Sequence, residues 1–219
     1  MGHEGMAMAV IRYLRETGTD IESDAGSTGT AEPHRRALRT VRPDERLPEP
    51  STPVAPVADG RRIRSVLGHF CTGVTVISAT ADDGSPVGFA CQSFSSLSLD
   101  PPLVSFSVAR TSSSWPRIAH AGAFCVSVLA ADQGDLCRTF AVSSSTGTDK
   151  FAGVDWSPAP ATGAPRLAGA LAWVDCTIHA VHTGGDHLIV LGRVADLAVS
   201  REDTGPLLFY RGGFGDFTP

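Results

Sequence analysis

VDCTIHAVHTGGDHLIVLGRVADLAV, residues 174–199, is the stretch from which the fold is read. Val174, Cys176, Ile178 and Ala180 alternate with Asp175, Thr177 and His179, the period-two pattern of a strand with one face buried. Thr183-Gly184-Gly185-Asp186 then reads as a turn, because glycine supplies the positive φ that a tight hairpin demands. His187–Val199 is the return strand, so the chain is committed to antiparallel pairing here. Working outward, Val74–Thr80 is a β-branched strand that turns at Asp82-Asp83-Gly84-Ser85 into a second strand, Pro86–Cys91. Leu103–Val108, Ala123–Leu129 and a last short strand, Leu207–Tyr210, have the same character. Ser93–Ser98 reads as a polar loop and Val142–Ala168 as a long irregular one.

Helical spacing is found at Ile63, Val66, Leu67 and Phe70 within Arg61–Phe70, and again over Asp132–Ala141. Ser112-Ser113-Ser114-Trp115-Pro116 reads as a helix start, with serines able to cap and a proline where a missing N–H is tolerated. At least six strands with short helices between them predict a mainly β fold, an antiparallel barrel with peripheral short helices.

The composition narrows the function. Of 219 residues 42% are apolar and 19% charged, an ordinary globular balance, and no run approaches the roughly 20 apolar residues of a membrane helix. Net charge is −5, Lys150 is the only lysine and there is no basic block, which argues against a nucleic-acid partner and against a membrane. Tyr13 is the one aromatic before residue 61, against six prolines, so residues 1–60 cannot bury enough apolar surface to offset their ordering entropy. They read as a disordered or weakly structured extension, or as the product of a start codon assigned too far upstream, and residues 61–219 as the globular domain. Cys71, Cys91, Cys125, Cys137 and Cys176 are odd in number and widely spaced, which predicts reduced, structural thiols and a cytoplasmic protein.

Several chemistries lack their residues. His179-x-x-His182 has metal-like spacing, but residues three apart on a strand face opposite sides. There is no nucleophile elbow, no phosphate-binding P-loop and no dinucleotide fingerprint after a strand. What remains is residues 86–116. A strand runs into Gln92-Ser93-Phe94-Ser95-Ser96-Leu97-Ser98, a second strand follows a Leu-Asp-Pro-Pro-Leu corner, and Arg110-Thr111-Ser112-Ser113-Ser114-Trp115 closes the segment. Hydroxyls, amides near a helix start and an arginine suit a phosphate ester, and Gly88 would let a flat ring approach the backbone. The alternative is an ordinary serine-rich loop with a capped helix, and the residues by themselves do not separate the two.

The order of these motifs resembles a family. Gly73-Val74-Thr75-Val76, Gly88 through Ser98, Asp100-Pro101-Pro102-Leu103, Gly185-Asp186-His187, Gly192-Arg193-Val194 and Pro206 through Gly212 follow the pattern of the flavin reductase-like, FMN-binding split barrels, from about Arg61 to Phe214. The wording around Val87–Phe94, Ser113–Trp115 and Leu207–Gly212 is most similar to the actinobacterial reductase components of two-component flavin-dependent monooxygenases, including that of steroid degradation. The resemblance implies an antiparallel split β-barrel and an NAD(P)H-dependent flavin reductase. Its ligands would be FMN or FAD and NADH or NADPH. It would form a homodimer and serve a separate oxygenase component. It further implies that Pro86, Val87, Gly88, Phe89 and Ala90, with Gln92 and Ser93, line the flavin ring and ribityl chain. Ser107, Val108 and Ala109 would supply the next strand's contact, and Ser113 and Ser114 the hydroxyls near the phosphate. Lys150 falls at a loop position that is often basic. His187 corresponds to the histidine beside the nicotinamide, the one catalytic assignment, with Tyr210 and Arg211 at the same mouth. A flavoprotein that keeps its flavin for another substrate, and a non-catalytic flavin-binding protein, are the alternatives.

Overall fold

The computed structural model describes residues 59–142 and 149–217; the predicted extension, but for its last two residues, lies outside them. The Asp59 carboxylate accepts the Arg61 N–H at 2.9 Å and caps α1 (Gly60–Leu67). β1 (Thr72–Gly73) leads into β2 (Thr75–Thr80), which is buried along its length except at Thr80. The predicted turn follows, with Gly84 at φ 78° and the Asp83 carboxylate accepting from the Ser85 N–H, and it lays β3 (Pro86–Cys91) against β2.

Ser95–Leu99 forms β4, where a loop was expected, and pairs only with β5 (Pro102–Ala109). An edge strand with neither face covered has no need of apolar alternation, so its serines gave no strand signal. α2 (Trp115–Ala121) ends on Gly122 in the left-handed conformation, followed by β6 (Ala123–Val128). After a 3₁₀ turn come α3 (Gly134–Ala141) and, inside the predicted irregular loop, the small hairpin β7 (Trp156–Pro158) and β8 (Pro165–Leu167). β9 (Ala172–Gly184) and β10 (His187–Val199) make the hairpin read from the sequence, and β11 (Leu207–Tyr210) with β12 (Gly213–Asp216) closes the described chain.

Seven strands form one antiparallel sheet in the order β3-β2-β6-β9-β10-β5-β4, and β1-β11-β12 forms a second. The large sheet curls until β3 meets β5. These two strands share no ladder, yet the Phe89 and Phe106 rings lie 6.1 Å apart and Ser93 Oγ accepts the Ser107 N–H at 2.8 Å while donating to the Ser107 carbonyl at 3.1 Å. Closure through side chains instead of backbone bonds makes the barrel a split one. Its interior holds Ile77, Val104, Phe106, Ile118, Phe124 and Val190, with Phe106 and Phe124 edge to face at 5.2 Å. Gly192 is required there: a Cβ would overlap Phe124 Cζ.

Candidate functional site

The unladdered seam between β3 and β5 opens into a cleft of about 480 Å³, within the usual range for a small-molecule site. Phe89, Ala90, Gln92 and Ser93 form one wall and Ser107, Val108 and Ala109 the facing one. Side chains alternate along β5: Val104 and Phe106 point inward to the core while Ser107 and Ala109 face the cleft.

The third side is the segment Thr111–Ser114. The Ser112 hydroxyl accepts the Trp115 N–H at 3.3 Å. Ser114 stands at the expected cap position but is buried, and its hydroxyl donates to the Gly88 carbonyl at 3.1 Å, tying the start of α2 to β3. Lys150 reaches the same carbonyl. Its Nζ donates to the Phe140 carbonyl at 3.1 Å and the Gly88 carbonyl at 3.4 Å, although the residue is only 8% exposed. Burial lowers the pKa of this ammonium below its ordinary 10.5. An ammonium has three donors, of which two are used among the described residues, and among those residues no carboxylate lies within 4 Å of it.

His187 completes the lining at the start of β10, paired in register with Ala109. Its Nδ1 donates to the Asp186 carboxylate at 2.7 Å, a hydrogen bond that also holds the Asp186 carboxyl below its ordinary range. The hairpin turn is anchored to the opposite wall by the Arg110 N–H, which donates to the Asp186 carbonyl at 3.0 Å.

Of the residues expected at a ligand, the structure gathers Phe89, Ala90, Gln92, Ser93, Ser107, Val108, Ala109, Ser113, Ser114, Lys150 and His187 around this cleft. Pro86, Val87 and Gly88 stand outside its lining. Val87 packs into the barrel core, and Pro86 pairs with Thr80 at the far end of β3. At Gly88 a Cβ would lie 2.9 Å from the Ile77 carbonyl and 3.2 Å from the Phe140 ring, so protein packs closely against this glycine. Tyr210 and Arg211 stand outside the cleft lining that includes His187. Tyr210 sets its ring edge against His69 at 6.2 Å, and Arg211 lines a neighbouring groove.

Phe140, Ala141 and Val142, at the end of α3, line the cleft without any sequence pattern to mark them. Cys91 lines it too, its thiol 3.3 Å from the Ser93 hydroxyl and its pKa raised by burial. Cys125 and Cys176 are buried deeper, and burial with the nearby Asp175 carboxylate pushes both thiols up to about 12. Such thiols are inert packing groups at neutral pH.

Apolar walls at Phe89, Val108 and Phe140, serine hydroxyls and a buried cation fit a flat conjugated ring carrying a phosphate ester.

Comparison with known proteins points the same way. Residues 67–218 match the model of the flavin reductase like domain. The chain is 53% identical over 165 residues to the reductase subunit HsaB of a flavin-dependent monooxygenase from Rhodococcus jostii, covering 75% of this chain and 82% of that one. Among solved structures, component B of a nitrilotriacetate monooxygenase homologue from Mycobacterium thermoresistibile superposes with a TM-score of 0.68 at 49% identity, over 73% of this chain and 87% of that one. The NADH:FAD oxidoreductase of Streptomyces globisporus superposes with a TM-score of 0.69 at 38% identity, over 78% of this chain and all of that one.

Proposed function

This chain belongs to the flavin reductase like family, and from that premise we propose how its cleft works. The protein is an NADH-dependent flavin reductase, the reductase component of a two-component monooxygenase. NADH supplies a hydride, FMN or FAD accepts it, and the reduced flavin passes to a separate oxygenase.

In our reading Phe89, Val108 and Phe140 sandwich the ring system and keep water from it, while Ser93, Ser113 and Ser114 meet the ribityl chain and phosphate end. Lys150 places a positive charge where the ligand is anionic, which favours flavin in both redox states. His187 is held by Asp186 at the mouth of the cleft and orients the nicotinamide. A hydride transfer needs stacked rings and a stabilised product anion, so neither a nucleophile nor a metal is called for. The observation that carries this reading is Lys150, a buried ammonium at the end of an apolar-walled cleft.

A homodimer belongs to the same reading. Among the described residues β4 is a free edge of the large sheet, it follows Gln92 and Ser93 directly, and it exposes Leu97 and Leu99, surface that a partner would cover. No helix among the described residues is long and apolar enough to cross a membrane, and we place the protein in the cytoplasm with its NADH supply. The test is anaerobic mixing of the purified protein with NADH and flavin. We expect flavin-dependent loss of the NADH absorbance with FMN, FAD or both. NADH oxidation that is unchanged by either flavin would overturn the proposal.

A further inference from the structure

α1 differs from the other described α-helices in burying none of its residues, whereas α2 buries Trp115 and Ile118, and α3 buries Cys137 and Phe140. Its sequence, GRRIRSVL, sets Ser65 behind three arginines. No other serine or threonine in the chain has arginines at both the third and the fourth positions before it. On a helix those two positions lie beside Ser65 on one face, so Arg61 and Arg62 flank its exposed side chain. Arg61 has the Asp59 carboxylate at 3.9 Å, and among the described residues no carboxylate lies within 4 Å of Arg62 or Arg64. Ser65 also lines a groove of about 790 Å³ between α1 and the turn that carries Arg211, and Gln92 belongs to both this groove and the flavin cleft.

An exposed hydroxyl behind paired arginines is the charge pattern read by a serine kinase with an acidic substrate groove. A helix held by no buried side chain opens locally at little cost, which lets the segment enter such an enzyme in extended form. The Ser65 oxygen attacks the γ-phosphorus of ATP. The Oγ–P bond forms as the bond to the β-phosphate oxygen breaks, ADP leaves, and the hydroxyl proton passes to the kinase's base. The product carries about two negative charges at neutral pH. Ser65 stands in the last turn of α1, at the negative end of the helix dipole, where a phosphate without cations would be disfavoured. Arg61 and Arg62 reverse that, because a guanidinium takes phosphate oxygens in a planar fork.

We propose that Ser65 accepts a phosphoryl group from an ATP-dependent serine kinase and that Arg61 and Arg62 hold the phosphate. A consequence for the cleft rests on the flavin reductase reading above. FMN and NADH are anions, and Arg61, Arg64 and Arg211 line the neighbouring groove in a chain of net charge −5, a local field that attracts them. The phosphate cancels about two of those positive charges and so raises KM for both ligands.

The test begins with the full-length protein, Mg-ATP and the catalytic subunit of a kinase selective for arginine three positions before serine. Peptide mass spectrometry is expected to place a phosphate on Ser65, with incorporation about tenfold slower in Arg62→Gln. No phosphate on Ser65 overturns the proposal. Phosphoserine is then installed at position 65 during translation and titrated by phosphorus NMR. Its second pKa is expected below the ordinary value of about 6, and back at that value in Arg61→Gln/Arg62→Gln. The ordinary value in both proteins overturns the assignment of the two arginines. Last, anaerobic flavin reduction is compared with and without the phosphate. KM for FMN and for NADH is expected to be about threefold higher with it at low salt, and equal at high salt. Equal values at both salt concentrations overturn the effect on the cleft. If the unmodified protein reduces no flavin at all, the cleft reading itself has failed, while the mass and NMR measurements still decide on Ser65.

Discussion

Gly88 joins three parts of the cleft in one backbone unit. Its carbonyl accepts from Ser114 and Lys150, and its missing Cβ leaves room for the Phe140 ring. Gly88→Ala forces a Cβ to 2.9 Å from the Ile77 carbonyl, which backbone atoms cannot easily relieve. We expect a loss of about 1–3 kcal/mol of stability, seen as a lower melting temperature, together with weaker flavin binding in a fluorescence titration. That a glycine belongs here was legible in the sequence, but the reason was not, since the neighbour that needs the space is 52 residues away on α3. Lys150 sets a pH dependence. Burial holds its folded pKa below the 10.5 of the unfolded chain, and a bound phosphate favours the charged form. FMN affinity of the wild type is therefore expected to fall as pH rises above that lowered value, while Lys150→Gln binds weakly and shows no such fall. The free protein has the opposite trend: the Lys150 contribution to stability is present above 10.5 and lost as pH falls through the folded value. At His187, replacement by alanine removes an orienting group and no proton donor. KM for NADH is expected to rise about tenfold with kcat changed much less, in steady-state assays with flavin saturating.

Legibility at the level of elements followed burial. The β9–β10 hairpin could be read because one face of each strand is covered by core and the alternation records it, whereas β4 has no covered face and β7 and β8 are three residues each, too short for any period to register. Asp175 shows the limit from the other side. Its place in the alternation puts it on the polar face of β9, yet it is fully buried, because the turn between β7 and β8 lies over that face. Its carboxylate accepts from the Ala161 N–H at 2.9 Å, the Thr162 N–H at 3.0 Å and the Thr162 hydroxyl. One sequence-local strand pattern cannot announce a cover supplied by residues 161 and 162. Asp175→Asn keeps the shape but replaces an acceptor oxygen by an amide donor facing other donors. The expected cost is about 1–3 kcal/mol, measured by denaturant unfolding, with flavin affinity unaltered because the turn lies away from the cleft lining.

At the scale of the whole molecule, the site exists because the sheet fails to close with a ladder. A complete barrel would have paired β3 with β5 and filled the seam with backbone hydrogen bonds; the split leaves two strand walls facing each other, fastened at Ser93 and Ser107 and open elsewhere. The described lining of that seam and of the groove beside it, with α1, is built from residues 60 onward. The change in composition near residue 60 marks the same place, from proline and charge to alternating apolar residues. Among the described residues Asp59 is the first with a structural task, since its carboxylate caps α1. A chain beginning at Asp59 is therefore expected to fold and to reduce flavin at a rate within about twofold of the full-length protein. Starting at Arg62 instead removes the cap and the first two residues of α1, which costs about 1 kcal/mol and loosens one wall of the groove. The two truncations separate the roles: equal kcat for flavin in the first, with a lowered melting temperature only in the second, is the expected pair of results. Loss of folding or of flavin reduction on removing residues 1–58 would make the extension part of the working protein.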